Sequence, residues 1–446
     1  MNTEPTPPPQ HHQPAEPAGP VFPLTREQFA HALAAGLGRA RLHVDRCGAA
    51  GMEDLILEAC LHNRAYDRQC EGDRSDWLDQ LVVAAGLEQQ VLAALADSLS
   101  HSVEGEWWDT ELQCRLARCL AARGHGAARD MLHAAYRLSP DPAESIGGRE
   151  IVELDGAAGL LFVAGVLGEA LAANPALDVD KTPLTIYDDR HGAGQARVIL
   201  EEAAAAHPVI RPYLDRVDQL KPSRIRQREI PSFTEIIHSL GLPGPRITRM
   251  RFGRWGREAK DEELRIVANI LTAASDPVTI RNSLGCFVQR AYPPVRRRLI
   301  ELAEHADGEV RRAALAALAR HEHTEVRSLA LCHLATGRFA EGEPRLLERN
   351  YRSGDEELLA RVLGMVAYPD TMHAAAGDVL AVLKANPSPG VRLPALIIYE
   401  HGPCSLCRGD AVQLLVRADQ APAWLLQEGR FDADAETRAL CGAAIA

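Results

Sequence analysis

The chain has 446 residues, 46% of them hydrophobic, 25% charged and only 5% aromatic, and carries a formal net charge of −12. That is the balance of a folded protein, and its acidity excludes a surface that coats nucleic acid or anionic membrane throughout, because phosphate would repel it. No stretch reaches the roughly 18 uncharged apolar residues of a membrane span, the N-terminus lacks a secretory signal, and ten dispersed cysteines suit reduced thiols; the expectation is a cytoplasmic protein with no membrane partner.

Residues 1–23 hold eight prolines and little that could be buried, which predicts a disordered tail in which His11 and His12 are solvated. Helix begins at Thr25, where Thr25 and Gln28 have the spacing of a capping box. Apolar residues at three- and four-residue spacing predict helices over 25–43, 52–66, 75–84, 87–100, 109–123, 125–138 and 156–173. Short connections make these helix hairpins, an N-terminal helical domain over 24–220. The glycines at 156, 159, 165 and 168 follow no strand, so they read as close helix packing and not as a dinucleotide fingerprint. Residues 174–194 are rich in turn formers and predict a loop, with Asp188-Asp189-Arg190-His191-Gly192 as a turn, before a helix over 195–207.

The stretch 221–260 changes character. It has ten Lys or Arg (221, 224, 226, 228, 246, 249, 251, 254, 257 and 260) against Glu229, Glu235 and Glu258, a charge of 10 − 3 = +7, which leaves −19 for the rest of the chain. It reads as a basic junction. From 261 to 446 a phrase recurs: a polar residue, a short gap, an aliphatic residue or Thr, an arginine, then an Ala- and Leu-rich helix. Its arginines are Arg281, Arg311, Arg327, Arg392 and Arg438. The polar residue should cap the helix, the aliphatic one tuck beneath it, and the arginine reach an acid on the following repeat. The whole chain is thus predicted to be all-α, an α-solenoid of antiparallel helix pairs, with the strongest pattern in its C-terminal part.

The segment Asp307-Gly308-Glu309-Val310-Arg311-Arg312-Ala313-Ala314-Leu315-Ala316-Ala317-Leu318 resembles the HEAT-repeat superfamily. Cys60-Leu61-His62-Asn63 and Pro403-Cys404-Ser405-Leu406-Cys407-Arg408 are similar to phrases of uncharacterised bacterial HEAT-like proteins. The likeness covers roughly residues 262–446 and implies a curved surface of stacked helix pairs that binds another macromolecule. HEAT-like di-iron hydroxylases are a poor comparison, since His321-Glu322 alone has their His-Glu order, and HEAT-like DNA glycosylases need a basic groove that one short segment does not establish.

Three clusters could carry chemistry. Arg249, Arg251, Arg254, Trp255 and Arg257 place charge beside aromatic rings and are the predicted partner-binding residues, for a protein partner first and nucleic acid second. Docking against acidic helix ends is the structural reading of the same run. His401, Cys404 and Cys407 offer three metal ligands, for which Cys441 or Cys332 could supply a fourth, but with no second CxxC or HxxxH nearby the favoured reading is small buried residues packing one helical turn apart. Glu58, His62 and Tyr66 would share one face of a continuous helix. With no P-loop, nucleophile elbow, HExxH or kinase phrase, the sequence leans towards a scaffold or adaptor and away from an enzyme, with no cofactor; the alternative is a nucleic-acid-binding or nucleic-acid-modifying protein acting through 221–260.

Overall fold

The structure is a computed structural model that describes residues 15–100, 106–139, 142, 146–220, 230–244 and 246–445, with side chains left undescribed at 246–249. Among the described residues the chain is all-helical, with α-helices, short 3-10 turns and no strand. Among them, no helix is long and apolar enough to cross a membrane. The chain divides into two compact units: Arg226–Leu426 with the segment ending at Gly19, and Pro20–Ile225 with Gln427–Ala446.

In the first unit the phrases at Asp276 and Asp307 start their helices for the expected reason. The Asp307 carboxylate accepts from the backbone N–H groups of Glu309 (2.8 Å) and Val310 (3.0 Å) at the start of Gly308–Leu318. Asp276 caps Pro277–Gly285 through Thr279 N–H at 2.8 Å, with Pro277 in the first turn, where its missing N–H costs nothing. The aliphatic residues that follow, Ile280, Val310, Val326 and Val391, are all buried. Helices then rest on their next-but-one neighbours: Arg246–Glu258 on Pro277–Gly285, that helix on Gly308–Leu318, Asp355–Gly364 on Arg392–His401, and Pro369–Ala385 on Ser405–Arg417.

Three of the phrase arginines link forward to an acid. Arg281 pairs with Glu309, Arg311 grips Glu341 with two bonds of 2.7 Å, and Arg327 grips Asp355 with bonds of 2.7 and 2.8 Å. The steps are 28, 30 and 28 residues. Arg392 reaches forward to the carbonyl of Gln420 at 2.7 Å and back to Glu16 at 2.8 Å, whereas Arg438 closes on the carbonyls of Asp432 and Ala433 just ahead of its own helix. Glu16 and Gly19, which is set against the Trp424 ring, are therefore docked on this unit, unlike the free tail expected of 1–23; residues 1–14 lie outside the described ones.

The second unit holds the N-terminal hairpins. The capping box forms, with Gln28 N–H donating to Thr25 Oγ1 at 3.2 Å and Thr25 N–H to Gln28 Oε1 at 2.9 Å. The helices expected over 75–84, 87–100, 109–123, 125–138, 156–173 and 195–207 all form, as Ser75–Ala85, Glu88–Ser100, Trp107–Ala122, Gly126–Leu138, Ala157–Ala173 and Gln195–Ala206. Three expectations change. The helix over 25–43 is two, Arg26–Ala35 and Arg39–Cys47, because Gly36 turns left-handed at φ +76°. The helix over 52–66 stops at Leu61, with His62 extended. The loop over 174–194 contains the helix Thr182–His191, for which Asp180 and Pro183 are the start signals, Asp180 accepting from Thr182 N–H at 2.8 Å.

Gly168 performs the role its helix predicts: a Cβ there would lie 1.8 Å from the Val209 carbonyl oxygen. The unit is completed by Gln427–Ala446, which the sequence pattern assigns to the repeats. Arg39 Nε donates to Glu428 at 2.8 Å with both side chains buried, and Trp77 Nε1 donates to the Phe431 carbonyl at 2.9 Å.

Candidate functional site: an arginine-lined groove

Residues 251–257, Arg-Phe-Gly-Arg-Trp-Gly-Arg, repeat every three positions and lie in the helix Arg246–Glu258. Residues three apart are neighbours on a helix, so each residue type forms its own stripe. Phe252 and Trp255 point into the core at 1% and 4% exposure, and Trp255 stacks on Phe233 with ring centroids 6.0 Å apart. Trp255, expected at the contact surface, is thus spent on packing. The glycines let the helix press against its neighbour: a Cβ on Gly256 would lie 1.8 Å from the Cys286 carbonyl oxygen, and one on Gly253 3.1 Å from Val288.

The arginines are left outside. Arg254 and Arg257 line a groove of about 730 Å³, together with Arg281, Arg312 and Glu309 from the next two phrase helices. Its apolar lining is Met250, Val288, Ala313 and Ala316, with glycines at 253 and 285. Four guanidinium groups face one carboxylate, and that carboxylate is already paired with Arg281. Arg257 has a further pair, Glu258, at 3.4 Å. Arg251 is exposed outside the groove, where its charge helps hold the Glu235 carboxyl below its usual range, after the bonds Glu235 accepts from Ser232. Arg249 lies on this helix, but its side chain is outside the described residues, as are residues 221–229 of the basic stretch.

No family model, curated protein or solved structure matches this chain.

Sequence reasoning did not single out Arg312 or Met250 as contacts and treated Arg281 as purely structural. A signal was available: Arg312 is the second arginine of the repeat phrase, one position past a residue that turns inward to Glu341, and so faces outward.

The remaining clusters resolve differently. With the helix ended at Leu61, Glu58 pairs with Arg64 and not with His62. His62 Nδ1 is 2.9 Å from Asp109, whose other oxygen accepts from Asn63 N–H at 2.7 Å, so the cluster fastens a turn to the helix Trp107–Ala122. Neighbouring Cys60 is buried, which pushes its thiol up to about 12 and keeps it inert. The Asp188 carboxylate accepts from Gly194 and Ala196 N–H groups at 2.8 and 2.7 Å and caps the following helix. Cys404 and Cys407 are drawn together with a histidine, but it is His373 from the helix Pro369–Ala385. His401 ends its own helix with its side chain exposed.

Proposed function

We propose that this chain is a recognition module of the HEAT-like kind, in which helices from 246 to 417 stack as antiparallel pairs and the arginine-lined groove takes an acidic, partly apolar segment of a protein partner. The 28- and 30-residue steps of the arginine links support the repeat reading, since equal steps arise when equivalent helices face equivalent neighbours. The groove carries the functional reading: four guanidinium groups are suited to bidentate carboxylates, and the small and aliphatic lining suits a side chain inserted between them.

Nucleic acid is the second reading. It rested on aromatic faces beside the arginines, and the burial of Phe252 and Trp255 removes the stacking platforms that single strands use. Phosphate contact by the arginines alone is what the test must separate.

The deciding experiment measures fluorescence anisotropy of the full chain with acidic amphipathic peptides and with single- and double-stranded oligonucleotides, at two salt concentrations. The expected result is saturable peptide binding that weakens at least about tenfold in Arg254→Glu/Arg257→Glu, the loss of about 1.4 kcal/mol or more that two charge-assisted contacts represent. Tighter binding of oligonucleotide, with a steep dependence on salt, would replace the peptide reading with the second one.

A further inference from the structure

Besides the groove, the described residues hold one group of donors placed to share an ion: His373, Cys404 and Cys407, whose ligating atoms all lie within 4.8 Å of one another. Two elements bring them together. Cys404 is the N-cap of the helix Ser405–Arg417 and Cys407 its third residue, so the Cys-Xaa-Xaa-Cys spacing puts both sulfur atoms on the first turn. The helix Pro369–Ala385 packs against that helix and presents His373, whose Nδ1 is 3.7 Å from Cys407 Sγ.

We propose that these three residues form a binding site for a thiophilic d10 metal ion, Zn(II) or Cu(I). Bond lengths of about 2.3 Å to sulfur and 2.0–2.1 Å to nitrogen put S and N about 3.6 Å apart around a tetrahedral ion, so the observed 3.7 Å needs almost no adjustment. Two thiolates and one imidazole are soft donors, which select Zn(II) or Cu(I) over the oxygen-seeking ions. Three protein donors complete a trigonal Cu(I) site and leave one position open on Zn(II) for water or a partner's donor. The N-terminal end of a helix favours thiolate, through its dipole and unpaired N–H groups. Cys404 is buried while Cys407 and His373 are half-buried, which leaves a route in from solvent. Cysteine binds such an ion as thiolate, so binding displaces protons and tightens as pH rises. The site is independent of the arginine groove, and its failure would leave that reading untouched.

The test uses the full chain, reduced and stripped of metal, titrated with Co(II) as a spectroscopic stand-in for Zn(II), and separately with Cu(I). The expected result is one equivalent bound, with thiolate-to-cobalt charge-transfer and tetrahedral ligand-field bands that Zn(II) bleaches. Cys404→Ser and Cys407→Ser should lose the charge-transfer band, and His373→Ala should weaken binding by more than about tenfold, since even outer-shell partners contribute that much. His401→Ala should bind as the wild type does. Should a cysteine variant fail to fold, protection of Cys407 from alkylation by one equivalent of Zn(II) in the wild type, absent in His373→Ala, gives the same answer. The proposal is overturned if neither Co(II) nor Cu(I) binds stoichiometrically, if the spectrum depends on His401 and not on His373, or if the two cysteines form a disulfide that zinc does not prevent.

Discussion

The two units use arginine–carboxylate pairs in different ways. In Arg226–Leu426 the pairs run forward along the chain in steps of 28 to 30 residues, from Arg281, Arg311 and Arg327. In the other unit two pairs are almost fully buried, the local Glu71–Arg74 pair and one that joins residues 389 positions apart, Arg39 and Glu428. The three forward links need no distant closure, because each arginine finds its acid 28 to 30 residues on. The N-terminal hairpins lack that register and are completed by a segment from the far end of the chain. The largest expected effect follows from this contrast. Arg39→Leu leaves the Glu428 carboxylate buried without its guanidinium and should cost about 3–5 kcal/mol in chemical denaturation, whereas the double variant Arg39→Leu/Glu428→Leu should recover most of it. A small loss in the single variant would mean that the terminal segment is dispensable to that unit.

Each unit also has a carboxyl, buried at Glu150 and half-buried at Asp378, whose pKa is pushed up to about 7: Glu150 by desolvation, countered by Arg115 at 3.6 Å, and Asp378 by desolvation, countered by Arg345. A folded-state pKa above the unfolded value stabilises fully below the unfolded pKa, and that contribution is lost as pH rises through about 7. For Glu150 the interval from 4.5 to about 7 corresponds to about 3 kcal/mol. Glu150→Gln should therefore gain stability relative to wild type at pH 8, by up to that amount, and gain little at pH 4.5. Asp378→Asn should shift in the same direction. Equal offsets at both pH values would show that the Glu150 carboxyl titrates alike in the folded and unfolded chain.

Close backbone approach is a property the units share. Gly256 in one and Gly168 in the other would each place a Cβ 1.8 Å from a carbonyl oxygen, so alanine at either should cost about 1–3 kcal/mol by forcing two helices apart. Gly165, with open space where its Cβ would lie, is the control: alanine there should be neutral or slightly stabilising. At Gly256 the displaced helix carries Arg254 and Arg257, so ligand binding should fall along with stability.

What the sequence made readable follows the same division. Periodic burial and caps placed most helices of both units, because Thr25, Asp276 and Asp307 act on residues two or three positions away. The repeat phrase carried further still, correctly directing Arg281, Arg311 and Arg327 forward. It did not direct Arg438, which turns back to the Asp432 and Ala433 carbonyls just ahead of its own helix. Trp255 was misread because a stripe of period three winds around the helix, so arginine and tryptophan adjacent in sequence face opposite environments. His373 was missed because it lies on another helix, 34 residues from Cys407, and no local pattern links them. Yet the interval is close to that of the arginine links, and extending the same step backwards from the Cys-Xaa-Xaa-Cys pair points to the helix that supplies it.

The smallest expected stability effect separates the two roles an arginine link can have. Arg327 and Asp355 are both largely buried, at 14% and 8% side-chain exposure, whereas Arg281 pairs with a Glu309 that is 47% exposed. Solvent screens the second pair, so Arg281→Ala should cost under about 1 kcal/mol, and Arg327→Ala about 1.5–3 kcal/mol for two charge-assisted bonds lost. Binding should order them the other way. Arg281 lines the groove and pairs with Glu309 within it, so its removal takes one positive charge from the groove and one cation from beside Glu309. Arg327 does not line the groove, and its alanine variant should bind the acidic peptide as the wild type does, once both are compared at a temperature where each is fully folded. If both variants lost binding in proportion to stability, the groove would be reporting only how well this unit is folded; if Arg281→Ala alone lost it, recognition would belong to the same residue that ties its helix to the one bearing Glu309.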